Sequence, residues 1–135
     1  MTAPAQFHQI LYVSQIACAG GADAFASICH VTRRRNADMA VTGALLFDGR
    51  RFCQLLQGPA RAVKSLTTQI ACDRRHAQMS VLCDQPLAAN AAESAWAFGH
   101  CHTINFGFFD AADGLGSEPV IVAFRQLMAG AALWP

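Results

Sequence analysis

A tyrosine and a glutamine carry the most suggestive chemistry in this chain. Tyr12 lies in the run FHQILYVS, residues 7–14. Its phenol is oxidisable and holds a transferable proton, with an ordinary pKa of about 10. Gln54 sits in the run RFCQLLQ, among Phe52, Cys53, Leu55 and Leu56. In a strand, Phe52 and Leu56 share its face, so the amide is placed in apolar company. Burying it there is costly unless something polar bonds to it. An amide both donates and accepts, so it can relay a proton and change partners. With two unlike ends, it has two bonding arrangements whose energies a low dielectric separates. Switching requires a bistable element of this kind.

Ser14 stands two residues after Tyr12 and shares its face. Asn36, Arg75 and His76 are the other polar candidates. Each has an ordinary structural explanation. A tyrosine in a strand is usually a core aromatic with its hydroxyl satisfied. An asparagine just past a helix usually caps it. An arginine and a histidine at a helix end complement the dipole. Gln54 is the hardest of the set to explain in that way.

The elements that must position these residues are legible from pattern. Residues 7–14 are rich in aromatic and β-branched side chains and read as a first strand. Gly20-Gly21 interrupts the run. Residues 22–35 then place Phe25, Ile28 and Cys29 on one helical face, and the helix ends in Arg33, Arg34 and Arg35. Residues 40–47 read as a second strand, and Asp48-Gly49 as a tight hairpin into a third at 51–57. Gly58-Pro59 is expected to open a second helix with Pro in its first turn. Val63, Leu66 and Ile70 form its stripe, and it is expected to stop near 73–76. Met79 to Asp84 reads as a fourth strand, and the segment around Trp96 to Cys101 as a fifth.

This order predicts an α+β fold: a ferredoxin-like β-α-β-β-α-β sheet plus a fifth strand, with both helices on one face. The strands are apolar on both sides, so the other face needs a cover. The tail supplies one. After a Gly- and Asp-punctuated loop, Glu118-Pro119 opens an amphipathic segment running to Trp134, expected as a helical cap.

With 135 residues the chain is long enough for one domain with a real core. Hydrophobic residues make up 53% and charged ones 14%, which argues against disorder and for some apolar surface covered by a second copy or a partner. Net charge is +1, with ten Lys and Arg against nine Asp and Glu, which is no footprint for nucleic acid. No stretch has the ~18 apolar residues of a membrane span. Nor does residue 1 onward read as a secretion signal. The six cysteines have no C-x-x-C spacing and read as reduced, mostly buried thiols of a cytoplasmic protein. His100-Cys101-His102 lacks the further ligands that a closed metal site needs.

Taken together, the motifs resemble one family. LYVS at 11–14, RNADMAVTGALLF at 35–47, RFCQLLQG at 51–58, DRRH at 73–76 and WAFG at 96–99 follow one another as in BLUF domains. Tyr12 lies 42 positions before Gln54 and Asn36 lies 18 before it, separations that match the family. The resemblance spans about residues 7–100. It implies a short, stand-alone blue-light receptor, not an enzyme, with a flavin-binding domain at 1–102 and a C-terminal loop and cap at 103–135.

The same resemblance implies an oxidised flavin between the two helices: FAD, with FMN and riboflavin as the other forms. It implies cofactor contacts from Tyr12, Ser14, Ile28, Arg35, Asn36, Gln54, Arg75 and His76. Gln54 would stand between Tyr12 and the ring, with Asn36 on the carbonyl and imide edge and Arg75 on the C2 carbonyl side. In the family, blue light drives an electron and then a proton from tyrosine to flavin. Their return leaves the glutamine rotated or tautomerised, and the absorption shifts slightly to the red. Trp96 and Phe98 are the implied signalling residues, and a homo-oligomer and a separate effector protein the implied partners.

The chain departs from the family's pattern at three positions. Arg35 stands where the family usually has Asn or His. Phe98 stands where it has methionine. Gln57 replaces an acid before Gly58, with little expected consequence. Two rival readings are a flavin-free interaction module of the same fold and a small acyl-phosphate hydrolase. The second needs a phosphate-cradling loop with an arginine near the first strand, and residues 14–22 contain none.

Overall fold

The computed structural model describes residues 6–16, 34, 39–47, 51–73, 76–88, 97–100, 117–130 and 132–134. The expected first helix at 22–35 lies outside them, with Ile28, Arg35 and Asn36. So do Arg75, Trp96 and the turn at Asp48-Gly49.

Six strands form one sheet. β1 is Phe7–Ile16, β2 is Thr42–Phe47, β3 is Arg51–Pro59, β4 is His76–Leu87, β5 is Ala97–His100 and β6 is Ala132–Trp134. Their order across the sheet is β4-β1-β3-β2-β5-β6. The first four are antiparallel neighbours in the ferredoxin-like α+β order. β5 adds parallel to β2, and β6 returns antiparallel to β5.

Two described helices cover opposite faces. α1, Ala60–Ala71, buries Val63, Leu66 and Ile70 at helical spacing against Ile10, Tyr12 and Leu56. Each such side chain contributes roughly 1.5–3 kcal/mol when withdrawn from water. α2, Ser117–Gly130, packs Val120, Ile121 and Phe124 onto Leu11, Leu55 and Cys83 on the other face. The period of two along β1 and β3 sends alternate residues to the two cores. The C-terminal segment is thus a cap over the second face, as its pattern indicates.

Several boundaries differ from the sequence reading, each for a local reason. β3 runs through Pro59, whose φ of −55° and ψ of 135° are extended, so Pro59 precedes the helix rather than occupying its first turn. Its ring fixes φ, and the Ala60 N–H that follows donates to Gln6 O at 2.9 Å. α1 ends at Ala71, and Cys72 N–H closes onto Thr68 O at 3.2 Å. β4 extends well beyond 79–84 because register shifts at Leu11/Tyr12 and Val13/Gln15 let a long edge strand follow β1. Gln78 has a φ of 52° near the second shift. The tail does not stay helical to Trp134. The helix ends at Gly130, and the short apolar stretch beyond pairs with β5.

Gly43 marks the closest backbone approach. Its φ is 145°, and a Cβ there would meet Leu55 O at 1.9 Å. Only glycine fits.

Cys53 and Cys83 are reduced and buried, as expected, whereas Cys72 is exposed at the end of α1. Among the described residues, no group of His, Cys, Asp or Glu could hold a metal ion. No described helix is long and apolar enough to cross a membrane.

Candidate functional site

Tyr12 and Gln54 are direct cross-strand partners of β1 and β3. Antiparallel register puts partner side chains on the same face, within reach of each other. The Tyr12 hydroxyl donates to Gln54 Oε1, and both side chains are buried, Tyr12 at 0% and Gln54 at 2% exposure. Tyr12 is the chain's only tyrosine.

The other end of the amide is the informative part. Gln54 Nε2 meets no acceptor among the described residues. A buried donor left unbonded costs about 1–3 kcal/mol, so such groups have partners in native proteins. The neighbours supply none. Leu45 lies opposite Gln54 on β2, Leu56 shares its strand face, and Phe47 and Phe52 stack alongside with centroids 4.8 Å apart. A buried phenol–amide pair with an open N–H, set in apolar and aromatic walls, fits a flat ring with acceptors on its edge. A flavin is such a group.

The register joins a further candidate to this pair. Leu45 of β2 is the Cα partner of both Gln54 and Phe98. One row therefore crosses Val81, Tyr12, Gln54, Leu45, Phe98 and Trp134. Ser14, at 2% exposure, is the partner of Phe52 one step along the same face. His76 opens β4 opposite Ile16, at the far end of β1 from Phe7, rather than closing a helix. Ile28, Arg35, Asn36, Arg75 and Trp96 lie outside the described residues.

Sequence reasoning missed two polar pairs. Gln57 Nε2 donates to Gln9 Oε1 at 3.0 Å, with both side chains buried on the α2 face. Gln57, assigned little consequence from sequence, is fully buried. Pairing Tyr12 with Gln54 already implies the register Gln9↔Gln57, so the signal was present. His8 Nε2 bonds Asp84 Oδ1 diagonally across β1 and β4, where the facing partner of Asp84 is Ile10. No local pattern announces that second pair, because the register shifts in β4 are invisible in sequence.

Comparison with known proteins gives the same direction. The family described as "BLUF: Sensors of blue-light using FAD" matches residues 7–97. The blue light- and temperature-regulated antirepressor BluF of Escherichia coli is 46% identical over 55 residues, covering 40% of this chain and 14% of that protein. The photoactivated adenylate cyclase subunit beta of Euglena gracilis is 32% identical over 87 residues, 64% of this chain and 10% of that one. The chain thus matches only a small part of those relatives' lengths. The dark-state structure of BlrB, a BLUF protein, superposes with a TM-score of 0.74 at 21% identity, over 93% of this chain and 97% of that one. That likeness extends to the fold over nearly the whole chain. A fold match, a family match across β1 to β5 and a buried phenol–amide pair agree: this chain belongs to the BLUF family, blue-light sensors that bind flavin and are not themselves enzymes.

Proposed function

We propose that this protein is a blue-light photoreceptor in which Tyr12 and Gln54 form the photochemical switch. The observation that carries the reading is the buried hydroxyl-to-amide bond whose amide nitrogen has no acceptor among the described residues. A bound flavin supplies blue-light absorption and a reversible acceptor for one electron and one proton.

Tyr12 gives up the electron, and its hydroxyl proton passes along the bond it already makes to Gln54 Oε1. The amide relays that proton from its other end, because it donates and accepts at different atoms. When electron and proton return to Tyr12, the amide is left rotated or tautomerised. Low dielectric keeps the two arrangements apart in energy. The apolar walls exclude water that would short-circuit the relay.

Ser14, Ile28, Arg35, Asn36, Arg75 and His76 complete the proposed cofactor contacts. The guanidinium of Arg75 and the amide of Asn36 suit the alternating acceptors and donors of a flavin edge. The form is FAD, as the family's description supports. The flavin-binding domain is 1–102, with 103–135 as loop and cap. The signal leaves for a separate effector protein through that cap or β5, with Trp96 and Phe98 as signalling residues. The shared row of Gln54, Leu45 and Phe98 supports the β5 route. A cytoplasmic homo-oligomer, with no role in nucleic-acid or membrane binding, suits the composition. Val81 and Val122, each about half exposed, are apolar surface suited to a second copy.

The test is spectroscopic. Purified protein should be yellow, its flavin band should move slightly to the red under blue light, and darkness should restore it. Gln54→Leu should retain the flavin and lose the shift. A Gln54→Leu protein that photocycles like the parent disproves the switch.

A further inference from the structure

The sheet carries a second buried hydrogen bond between β1 and β3, on the face away from Tyr12. Gln57 Nε2 donates to Gln9 Oε1 at 3.0 Å, with exposures of 0% and 4%. We infer that the Gln9–Gln57 pair is a second switching element, which converts the state of Tyr12–Gln54 into a change at helix α2. The inference rests on the photoreceptor reading above.

Three observations support it. The two pairs join the same strands as in-register partners, Tyr12 to Gln54 and Gln9 to Gln57, three positions apart on each strand. An odd spacing in a strand reverses the face, so the pairs look into opposite cores. Only Ile10, Leu11, Leu55 and Leu56 lie between them. A change in how Tyr12 and Gln54 hold the strands together is therefore felt within one short stretch of ladder.

The second observation is chemical. Each amide has a donor end and an acceptor end, so either glutamine can be the donor in their mutual bond. The pair therefore has two arrangements built from the same atoms, and a small displacement of one strand decides between them. A bonded apolar-core amide pair contributes little net stability, since two apolar side chains of the same shape are nearly as good. Its distinctive property is the choice of arrangement.

The third is location. Gln9 and Gln57 share their strand face with Leu11 and Leu55, the residues on which Val120 and Phe124 of α2 pack. A turn of either amide reshapes the margin of that core. Close-packed interiors respond to such displacements because they hold few voids to absorb them.

The experiment uses the flavin-loaded full chain and two readouts, the light-induced flavin band shift and the light-minus-dark hydrogen exchange over residues 117–130. Gln57→Glu fixes the arrangement, because a carboxylate at 57 only accepts and Gln9 must donate. The paired variant Gln9→Leu/Gln57→Leu removes both amides without orphaning either, which protects folding. Both proteins should keep the band shift, while the exchange difference over 117–130 falls at least about fivefold, the low end of ordinary coupling between sites. An unchanged exchange difference in both variants overturns the inference. So does loss of the band shift, which would put Gln57 in the photochemical site itself. A parent that shifts its flavin band with no exchange change over 117–130 also overturns it, while the photoreceptor reading survives. A parent with no band shift fails that reading first.

Discussion

The two faces of the sheet each bury one polar pair linking β1 to β3, and they differ in what they leave unanswered. On the α1 face Tyr12 satisfies the oxygen of Gln54, and the nitrogen meets no acceptor among the described residues. On the α2 face Gln57 and Gln9 answer each other, amide to amide. An unanswered buried donor points to a ligand, whereas an answered one points to the protein's own architecture. Alternation along two strands is what allows this. Residues 10, 12 and 14 serve one core and 9, 11 and 13 the other, so receptor chemistry and cap packing are encoded in interleaved positions.

The sharpest way to break this comparison is Tyr12→Phe. With no other tyrosine in the chain, no second phenol can stand in. The light-induced band shift should disappear completely while flavin remains bound. Stability should fall by about 1–3 kcal/mol in urea unfolding, because the buried oxygen of Gln54 loses its donor. A photocycle surviving in Tyr12→Phe would remove the distinction between the faces.

Phe124→Ala tests the other side. Phe124 is 1% exposed in the α2 core. Truncating a buried phenylalanine costs about 3–5 kcal/mol, read as a lower urea midpoint. The flavin band shift should persist in the molecules that stay folded. If it vanished at temperatures where the protein is still fully folded, the two faces would not be separable.

Gly43→Ala should disturb both faces together, because β2 is shared. The added methyl would strike Leu55 O, and φ of 145° disfavours any side chain. Overpacking of this kind costs about 1–3 kcal/mol in thermal unfolding, with the upper end expected where the obstacle is backbone. A neutral result would mean that β2 moves freely from β3.

Much of this was legible before any coordinates, and the illegible part has identifiable causes. Strands β1, β2 and β3 declared themselves through β-branched and aromatic runs, and the amide at 54 through its apolar neighbours. The α1 stripe of Val63, Leu66 and Ile70 followed the helical period. What failed was punctuation. Pro59 suits the end of an extended strand as well as a first helical turn, and only its register opposite Phe7 decides. The Leu133-Trp134 end looked like helix because three residues are too few to show a period. Pairing with β5, a long-range contact, decides that end. Gln57 was discounted because its replacement of an acid was weighed at one position. Its significance lies in Gln9, forty-eight positions away.

The smallest effect is expected at His8 and Asp84. His8 lies on the α1 face, buried, and its Nε2 bonds Asp84 Oδ1 across to the edge strand β4. The Asp84 side chain remains 56% exposed, so water and salt screen whatever charge the pair carries. Asp84→Asn keeps an acceptor oxygen and removes only the negative charge. The loss should be under about 1 kcal/mol, the ordinary range for an exposed pair, and smaller still at high salt. Urea midpoints measured at two ionic strengths will show it. The flavin band shift should not move, because the pair lies two strand positions beyond Ile10 from the Tyr12 row. A large salt-independent loss would mean that this bond, rather than the α1 core, anchors β4 beside Tyr12, and that the receptor face depends on its edge.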